Sequence, residues 1–304
     1  MIYTVTLNPS IDYYVRIQHL QVGTLNRAEQ TIFSPGGKGI NVSRVLMRFG
    51  INSVVLGFAG GFTGTFIKQA LTQEQIPVQF IEVDEPTRIN IKLKDAQETE
   101  INGVGPTISK EKQEQFLKKI ESLTKNDVLV VSGSLPPSIP TQFYEEIALL
   151  CTERNIPFIV DTTGPILKKL LPFRPFLVKP NHHELGDMFH VTIETVQDAI
   201  SYGKKLLQEG ASNVIVSMGG NGAVFINEKH QFVATVPNGN VINTVGAGDS
   251  TVAGFLASFI QDKDWMKAFQ YGVSAGTATA FSEDLCTKDE TDRLLSSIHI
   301  KSIS

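Results

Sequence analysis

Between residues 110 and 217 the sequence alternates short apolar runs with longer stretches of helical periodicity, and this pattern restricts the fold more than any other feature. The apolar runs show no alternation of polar and apolar residues, which is typical of strands buried on both faces. Amphipathic helices between such strands predict a parallel sheet covered by helices on both sides. The predicted strands are Val128–Ser132, Phe158–Asp161, 176–179 and 214–217, and the predicted helices are 110–123, 141–154, 165–171 and 195–208.

The same pattern begins near the amino terminus. Strands are predicted at 2–7 and 53–58, with a helix between them near 42–49 and another at 63–75. Because strands and helices again alternate, these segments are expected to join the same sheet and its helical layers.

Two blocks, residues 11–33 and 79–103, interrupt this pattern. They contain short β-like segments with no long helix between them, so we expect a small accessory sheet, or lid. The unpaired edges of such a sheet favour a homodimer formed through the lid. Residues 224–227 and 231–236 are predicted to be an antiparallel pair at the edge of the main sheet. The expectation for residues 1–304 is one three-layer α/β/α domain with a mainly parallel central sheet and a β-sheet lid.

Composition narrows the class of protein. Of the 304 residues, 41% are hydrophobic and 19% are charged, as in an ordered globular protein. The formal net charge of −4 argues against nucleic-acid binding, which needs a basic surface. There are only two cysteines, Cys151 and Cys286, and no apolar run approaches the length of a membrane span. We therefore expect a cytoplasmic protein without disulfides, structural zinc or membrane contact.

Polar or glycine-rich residues follow nearly every predicted strand. In open parallel sheets, ligands bind beyond the carboxyl ends of the strands. The positions concerned are Asp12, 132–136, 161–164, 180–184 and 217–222. Together they predict a ligand site along one edge of the sheet.

The stretch 243–250, Asn-Thr-Val-Gly-Ala-Gly-Asp-Ser, precedes an apolar run that is typical of a helix. The two glycines that flank Ala247 permit a tight turn. Amide N–H groups at a helix start are unpaired and carry the positive end of the helix dipole, so this turn suits developing negative charge. Asp249 is either an ordinary helix-start residue or a base directed at a substrate.

The common nucleotide signatures are absent from the sequence. Gly37-Lys38 has Ile32 where the first glycine of G-x-x-x-x-G-K-[ST] belongs, and no G-x-G-x-x-G follows the first strand. A nicotinamide-dependent reductase is therefore disfavoured, and any nucleotide site belongs to another class.

Two separated stretches resemble the signatures of one family. Segments 36–41 (Gly-Gly-Lys-Gly-Ile-Asn) and 243–250 are similar to the two motifs of the ribokinase-like (PfkB) carbohydrate kinases. The resemblance runs from Met1 to about Leu295 and implies the ribokinase-like fold. Segments that are similar to the branch acting on sugar phosphates are 6–12, 57–64, 99–103 and 132–136.

The substrate implied by the resemblance is a ketohexose phosphate. Segments 100–102 and 276–281 are most similar to enzymes that phosphorylate the 6-hydroxyl of fructose 1-phosphate, giving fructose 1,6-bisphosphate and ADP. Phosphorylation of tagatose 6-phosphate stays open as the alternative, and so does a non-catalytic sugar-phosphate sensor on the same fold. Intact glycines beside Asp249 argue against the sensor.

The resemblance implies that Asp249 is the catalytic base and that the amides of Gly246, Ala247 and Gly248 form an anion hole. A carboxylate with a pKa of about 3.9 cannot deprotonate an alcohol in advance, so proton transfer must accompany attack on the γ-phosphoryl group. The residues that match the sugar-phosphate site are Asp12, Gly36, Gly37, Lys38, Asn41, Arg88, Ser132 and Arg27. For Arg27 an ordinary solvated surface charge is equally compatible.

The resemblance also implies ATP and Mg²⁺. Asp161 and Glu184 would hold Mg²⁺ largely through water, since this ion keeps most of its waters and needs few protein ligands. A transition-metal site at His182 and His183 would lack a third ligand at a set spacing. The residues that match the nucleotide loops are Lys179, Asn181, Ser217, Met218, Gly219, Gly220, Asn221, Gly222, Thr244 and Gly248.

Overall fold

The computed structural model describes residues 1–95, 97–162 and 164–303, which form two β-sheets and two layers of helices. The strands are β1 Ile2–Thr6, β2 Ser10–Arg16, β3 Gln30–Gly36, β4 Ser53–Gly60, β5 Val78–Val83, β6 Arg88–Lys94, β7 Glu98–Asn102, β8 Val128–Ser132, β9 Phe158–Asp161, β10 Leu177–Val178, β11 Asn213–Ser217, β12 Ala223–Asn227, β13 Gln231–Thr235 and β14 His299–Ser302. The helices are α1 Lys38–Arg48, α2 Gly61–Gln73, α3 Lys110–Glu121, α4 Gln142–Glu153, α5 Gly164–Leu170, α6 His182–Phe189, α7 Val196–Gln208, α8 Ala247–Asp262, α9 Trp265–Ala280 and α10 Lys288–Leu295.

The larger sheet has the strand order β14-β13-β12-β11-β10-β9-β8-β1-β4-β5 in the described part of the chain. From β11 to β5 neighbouring strands run parallel. Strands β12, β13 and β14 continue the sheet antiparallel. The predicted fold class, a mainly parallel central sheet with a small second sheet, is confirmed.

Side chains of the central strands point alternately to two helical layers. Leu129 and Val131 of β8 belong to the core that includes Phe116 of α3. Val130, between them, belongs to the core that includes Val45 of α1 and Phe255 of α8. Because both faces are apolar and covered, these strands read as continuous hydrophobic runs.

The smaller sheet has the order β3-β2-β6-β7, with β2 and β6 parallel and the two outer pairs antiparallel. It is attached by very short connections. Residues 7–9 join β1 to β2, and Gly37 alone separates β3 from α1. The small sheet is therefore held at the carboxyl end of β1, where a ligand site is expected.

The predicted lid block 79–103 starts too early. Strand β5 pairs in parallel with β4 at the edge of the main sheet. Ile81 and Val83 are buried there, whereas the other β5 side chains are partly or fully exposed. An accessory sheet shows the same half-exposed pattern, and for this reason the prediction placed β5 in one block with β6 and β7.

The antiparallel pair formed by β12 and β13 is present, but it is not the edge of the main sheet. Strand β14 pairs with β13 on the outside. Three of the four β14 residues are exposed, so this strand has no apolar signal in the sequence. Within the described ranges, no helix is long and apolar enough to cross a membrane.

Candidate active site

The start of α8 presents unpaired amides. Gly246 has φ +81° as the residue before the helix, a conformation that favours glycine, and a Cβ there would overlap Cδ2 of Leu285. The Ala247 N–H donates to the Thr244 carbonyl at 3.3 Å. Among the described residues, the next two amides, of residues 248 and 249, have no acceptor. The positive end of the α8 dipole is therefore open to an anion.

Asp249 lies in the first turn of α8 and is only 4% exposed. Its Oδ2 accepts a hydrogen bond from Asn41 Nδ2 at 2.8 Å. Burial, together with the charge of Asp161, raises the pKa of Asp249 to about 6, against the opposing effects of Lys38 and Asn41. A carboxylate with this pKa is ionised at neutral pH and is a stronger base than an exposed aspartate.

Asp161, at the end of β9, binds two lysines. Its Oδ1 lies 3.1 Å from Lys38 Nζ and 3.6 Å from Lys179 Nζ. Burial opposes ionisation, but the two ammonium groups outweigh it and hold the pKa of Asp161 below its ordinary value. In turn Asp161 raises the pKa of Lys38. Lys38 therefore remains a cation in the site.

Lys179 also lies against the start of α8. A Cβ built on Gly248 would stand 2.8 Å from Lys179 Nζ and would push the ammonium group aside. The lysine is 4% exposed. The site thus brings together two ammonium groups, the free amides of α8 and the Asp249 carboxylate. This arrangement suits an anionic group that reacts with a hydroxyl.

On the small sheet, Asp12 is held by neighbours that the sequence did not indicate. Its Oδ1 accepts hydrogen bonds from Ser10 Oγ at 2.8 Å and from Asn90 Nδ2 at 3.0 Å. A Cβ on Gly36 would lie 2.5 Å from the Asp12 carboxylate, so the glycine permits this close approach. Asn90 lies on β6, opposite Asp12 in the register. With three basic residues among its seven, the sequence of β6 gives no signal that marks Asn90.

Gly37 joins the small sheet to α1. Its φ is +127°, and a Cβ there would overlap Cγ2 of Thr6 on β1. Lys38 and Asn41 follow in the first turns of α1. The glycine segment 36–41 therefore brings Asp12, Lys38 and Asn41 to the same edge, next to Asp249.

The proposed phosphate-binding residues differ in their placement. Arg88 donates to the Asn8 carbonyl at 3.1 Å and to the Gly103 carbonyl at 3.5 Å, and burial lowers its pKa. Ser132 is fully buried, and its hydroxyl donates to the Val5 carbonyl at 3.4 Å. Ser134, two residues later, is exposed and lies 3.5 Å from Asn8 Nδ2.

Arg27 lies apart from the cluster around Asp249. It is exposed in the connection between β2 and β3, and the described residues provide no ion pair for it. The sequence left two roles open for Arg27, a phosphate ligand or a solvated surface charge. Its exposed position in this structure of one chain is that of a surface charge.

The matched nucleotide loops follow β10 and β11. Asn181 pairs with Ser217 across the sheet edge, and residues 219–221 form an exposed turn. Thr244, before α8, is also exposed. The side chain of Met218 is 3% exposed and belongs to the core, so only its backbone is near the turn. Gly222 closes the turn through its carbonyl, which accepts from the Met218 N–H at 2.8 Å.

The two expected metal-binding carboxylates are differently engaged. Glu184 caps α6 together with Asn181, accepting from the Asn181 N–H at 2.9 Å. Oδ2 of Asp161 is buried and has no hydrogen-bond partner among the described residues. Those residues contain no cluster of three or more metal-ligating side chains. A free carboxylate oxygen without a full ligand set fits a divalent cation bound largely through its own waters.

The family model described as pfkB family carbohydrate kinase matches residues 5–292. The chain belongs to this family. This pfkB family kinase is 50% identical to a 1-phosphofructokinase of Bacillus subtilis over 99% of both chains. It is 42% identical to a 1-phosphofructokinase of Borreliella burgdorferi over 100% of this chain and 99% of the relative. A tagatose-6-phosphate kinase of Staphylococcus epidermidis is 35% identical over 86% of each chain. The resemblance drawn from 36–41 and 243–250 is thus confirmed.

Solved structures agree with the fold. A crystal structure of phosphofructokinase-2 from Escherichia coli in complex with substrates and products superposes with a TM-score of 0.91 at 28% identity, covering 97% of this chain and 98% of the other. A tetrameric inhibited form of the same E. coli protein gives a TM-score of 0.89 at 28% identity, with the same coverage. As a carbohydrate kinase, this pfkB family member uses ATP as its phosphoryl donor.

Proposed function

We propose that this pfkB family kinase transfers the γ-phosphoryl group of ATP to the 6-hydroxyl of fructose 1-phosphate, giving fructose 1,6-bisphosphate and ADP. One observation carries the chemistry: the buried Asp249 carboxylate stands beside the free amides of α8 and the Lys179 ammonium group. The choice of sugar is supported by full-length similarity to two 1-phosphofructokinases at 50% and 42% identity.

Asp249 acts as the general base. The 6-hydroxyl oxygen forms a bond to the γ-phosphorus, the bond from that phosphorus to the bridging oxygen of ADP breaks, and the hydroxyl proton passes to Asp249. The pKa of about 6 lies far below that of an alcohol, so proton transfer accompanies bond formation. General base catalysis contributes about 10²–10⁴-fold, and alignment and charge stabilisation supply most of the remainder.

The moving phosphoryl group is stabilised by fixed positive charge. Of the amides expected to form the anion hole, that of Ala247 donates to Thr244, so we assign the role to those of Gly246 and Gly248 together with that of Asp249. Lys179 adds a full charge within the same buried space. Lys38 is held toward the site by Asp161 and serves the sugar phosphate or the phosphoryl group in transfer.

The sugar binds between the small sheet and α1. Oδ2 of Asp12 accepts a sugar hydroxyl, because Oδ1 is already engaged by Ser10 and Asn90. Gly36, Gly37 and Asn41 form the turn around the sugar. For the phosphate that the substrate already carries, we assign Ser134 in place of the buried Ser132, with Arg88 as a further donor.

ATP binds along the loops after β10 and β11. Lys179 contacts its phosphates, and the groups that meet the nucleotide are Asn181, Ser217, Thr244 and the exposed turn 219–221. Asp161, through its unpartnered Oδ2, and Glu184 of the 181–184 segment would hold Mg²⁺ through its waters. When bound, Mg²⁺ neutralises charge on the phosphates of ATP.

The experiment that tests the proposed function is an ADP-release assay with the purified protein and Mg²⁺. Fructose 1-phosphate, fructose 6-phosphate, tagatose 6-phosphate and unphosphorylated sugars are compared side by side. We expect the highest kcat/KM with fructose 1-phosphate. A preference for tagatose 6-phosphate would establish the alternative, and absence of ADP release with every sugar phosphate would support a non-catalytic sensor.

We further propose a homodimer through the small sheet, in the cytoplasm, where ATP and sugar phosphates are available. Side chains alternate across this sheet, so the row next to Asp12 faces the other way. That row includes Phe33 and Ile101, which are 54% and 58% exposed, an unusual apolar surface for a single chain. The mass of the protein in solution, by light scattering after size exclusion, tests the proposal, and a monomer at micromolar concentration would contradict it.

A further inference from the structure

A short segment between α9 and α10 supports the turn that begins α8. We call residues 284–286 the support segment. Leu285 is 6% exposed, and its Cδ2 occupies the space that a side chain on Gly246 would need. The left-handed turn at Gly246, and therefore the direction of the free amides of α8, rests against this leucine.

Helix α1 binds the support segment from one side. Asn41, Arg44 and Arg48 are spaced by three and four residues, so they share one face of the helix. Arg48 lies 2.5 Å from Oδ2 of Asp284, and its guanidinium also donates to the Leu285 carbonyl. Arg44 is 3.3 Å from the same Asp284 oxygen. The helix that holds Asn41 against the catalytic carboxylate thus also fixes the support segment.

Helices α8 and α9 hold it from the other side. The Cys286 N–H donates to Thr279 Oγ1 at 3.0 Å, and Thr279 Oγ1 donates to Ser250 Oγ at 2.7 Å. All three residues are fully buried. Because Ser250 directly follows Asp249, the support segment is connected to the catalytic turn through both its ends.

Resting on the function proposed above, we propose that Arg48, Asp284 and Leu285 are positioning residues for phosphoryl transfer. Arg48 does not line the small cavity that contains Asp12 and Asn41, whereas Asp284 and Leu285 form part of its wall, and we assign to that wall the support of the turn. They fix the turn at Gly246, so that the free amides of α8 and the Asp249 carboxylate stand at the correct distance from the phosphoryl group. Misplacing reacting groups by about 1 Å costs about 10²-fold in rate, so small movements of this turn affect kcat first.

The first test compares Leu285→Ala with Leu206→Ala. Leu206 is also buried, 0% exposed against 6% for Leu285, but it lies in α7 on the opposite face of the main sheet. We expect Leu285→Ala to lower kcat at least about tenfold, with KM for both substrates within about twofold of wild type. Leu206→Ala lowers thermal stability and keeps kcat. Leu285→Met, which refills the space, restores most of the lost kcat.

The second test stands even if Leu285→Ala does not fold. Asp284→Asn and Glu74→Gln each remove one carboxylate charge from Arg44, since Arg44 Nε also lies 2.9 Å from Glu74. Only Asp284 belongs to the support segment. We expect a lower kcat in Asp284→Asn and an unchanged kcat in Glu74→Gln, at unchanged KM in both.

Equal kcat in both carboxylate variants, or a change confined to KM, would overturn the inference while leaving the proposed function intact. If the wild type releases no ADP with any sugar phosphate, the proposed function and this inference fall together.

Discussion

Replacing Asp249 by asparagine should remove catalysis and at the same time stabilise the folded protein at neutral pH. The carboxyl group is 4% exposed, and burial with the nearby Asp161 charge raises its pKa from 3.8 to about 6. A folded-state pKa above the unfolded value means that folding favours the protonated acid. Ionised Asp249 therefore costs stability at the pH where the enzyme needs it as a base. Asparagine is nearly isosteric, uncharged, and can still accept the hydrogen bond from Asn41.

The size of the effect follows from the pKa difference. From 3.8 to about 6 is about two pKa units, and at about 1.4 kcal/mol for each unit the cost of ionised Asp249 is about 3 kcal/mol. The stability that the folded protein gains from protonated Asp249 is fully present below pH 3.8. It is lost as the pH rises through the folded-state pKa of about 6. About 1 kcal/mol of the cost is reached at pH 4.5 and nearly all of it at pH 8. The advantage of the asparagine variant should thus grow by about 2 kcal/mol between these values.

Urea unfolding of both proteins at pH 4.5 and pH 8 measures this difference, because titrating groups that do not interact with Asp249 cancel between them. Trp265, the only tryptophan in the sequence, packs 4.3 Å from the Phe259 ring centroid and reports on the core. At pH 8 the variant should also lose at least about 100-fold in kcat, with ATP affinity nearly unchanged. A stability difference that is the same at both pH values would refute the argument, and near-normal turnover would remove Asp249 from the role of base.

Two further predictions concern the charges around Asp249. The pH profile of kcat/KM for the sugar phosphate should fall below about pH 6, with a lower midpoint in Asp161→Asn and a higher one in Asn41→Ala, since Asp161 raises the pKa of Asp249 and Asn41 lowers it. The substrate titrates equally in all three proteins, so identical midpoints would assign the titration to the substrate. Lys38→Ala should mainly raise KM for the sugar phosphate, measured at saturating ATP. An effect on KM for ATP alone would move Lys38 to the nucleotide site.

Much of the fold could be predicted because its signals are local. Strands such as β8 are apolar throughout, since both of their faces are buried, and their helices show one apolar face. Strands β5 and β14 could not be placed in this way. Most side chains of each strand are partly or fully exposed. A short, partly polar segment of this kind does not indicate which sheet it will join.

The residues of the candidate site also differ in whether local sequence could identify them. Glycine segments and Asp249 lie in contiguous motifs, so the sequence could identify them. Asn90 and Ser134 enter through contacts between distant segments, for which a single sequence carries no pattern, and Ser10 contacts Asp12 within β2. The choice of Ser132 instead of Ser134 shows how fine the distinction is. Two residues along the same strand end separate a hydroxyl sealed in the core from one that is exposed.

The glycines at 36, 37 and 39 have a consequence for how such a kinase can diversify. Side chains there would collide with Asp12, with Thr6 or with the backbone of β1. Bulk is therefore disfavoured where the sugar pocket joins the core. Changes in sugar preference are expected instead at Ser34 and Asn102, which share a register row with Asp12, whereas Asn90 in that row is held by its contacts with Asp12 and the Gly103 amide.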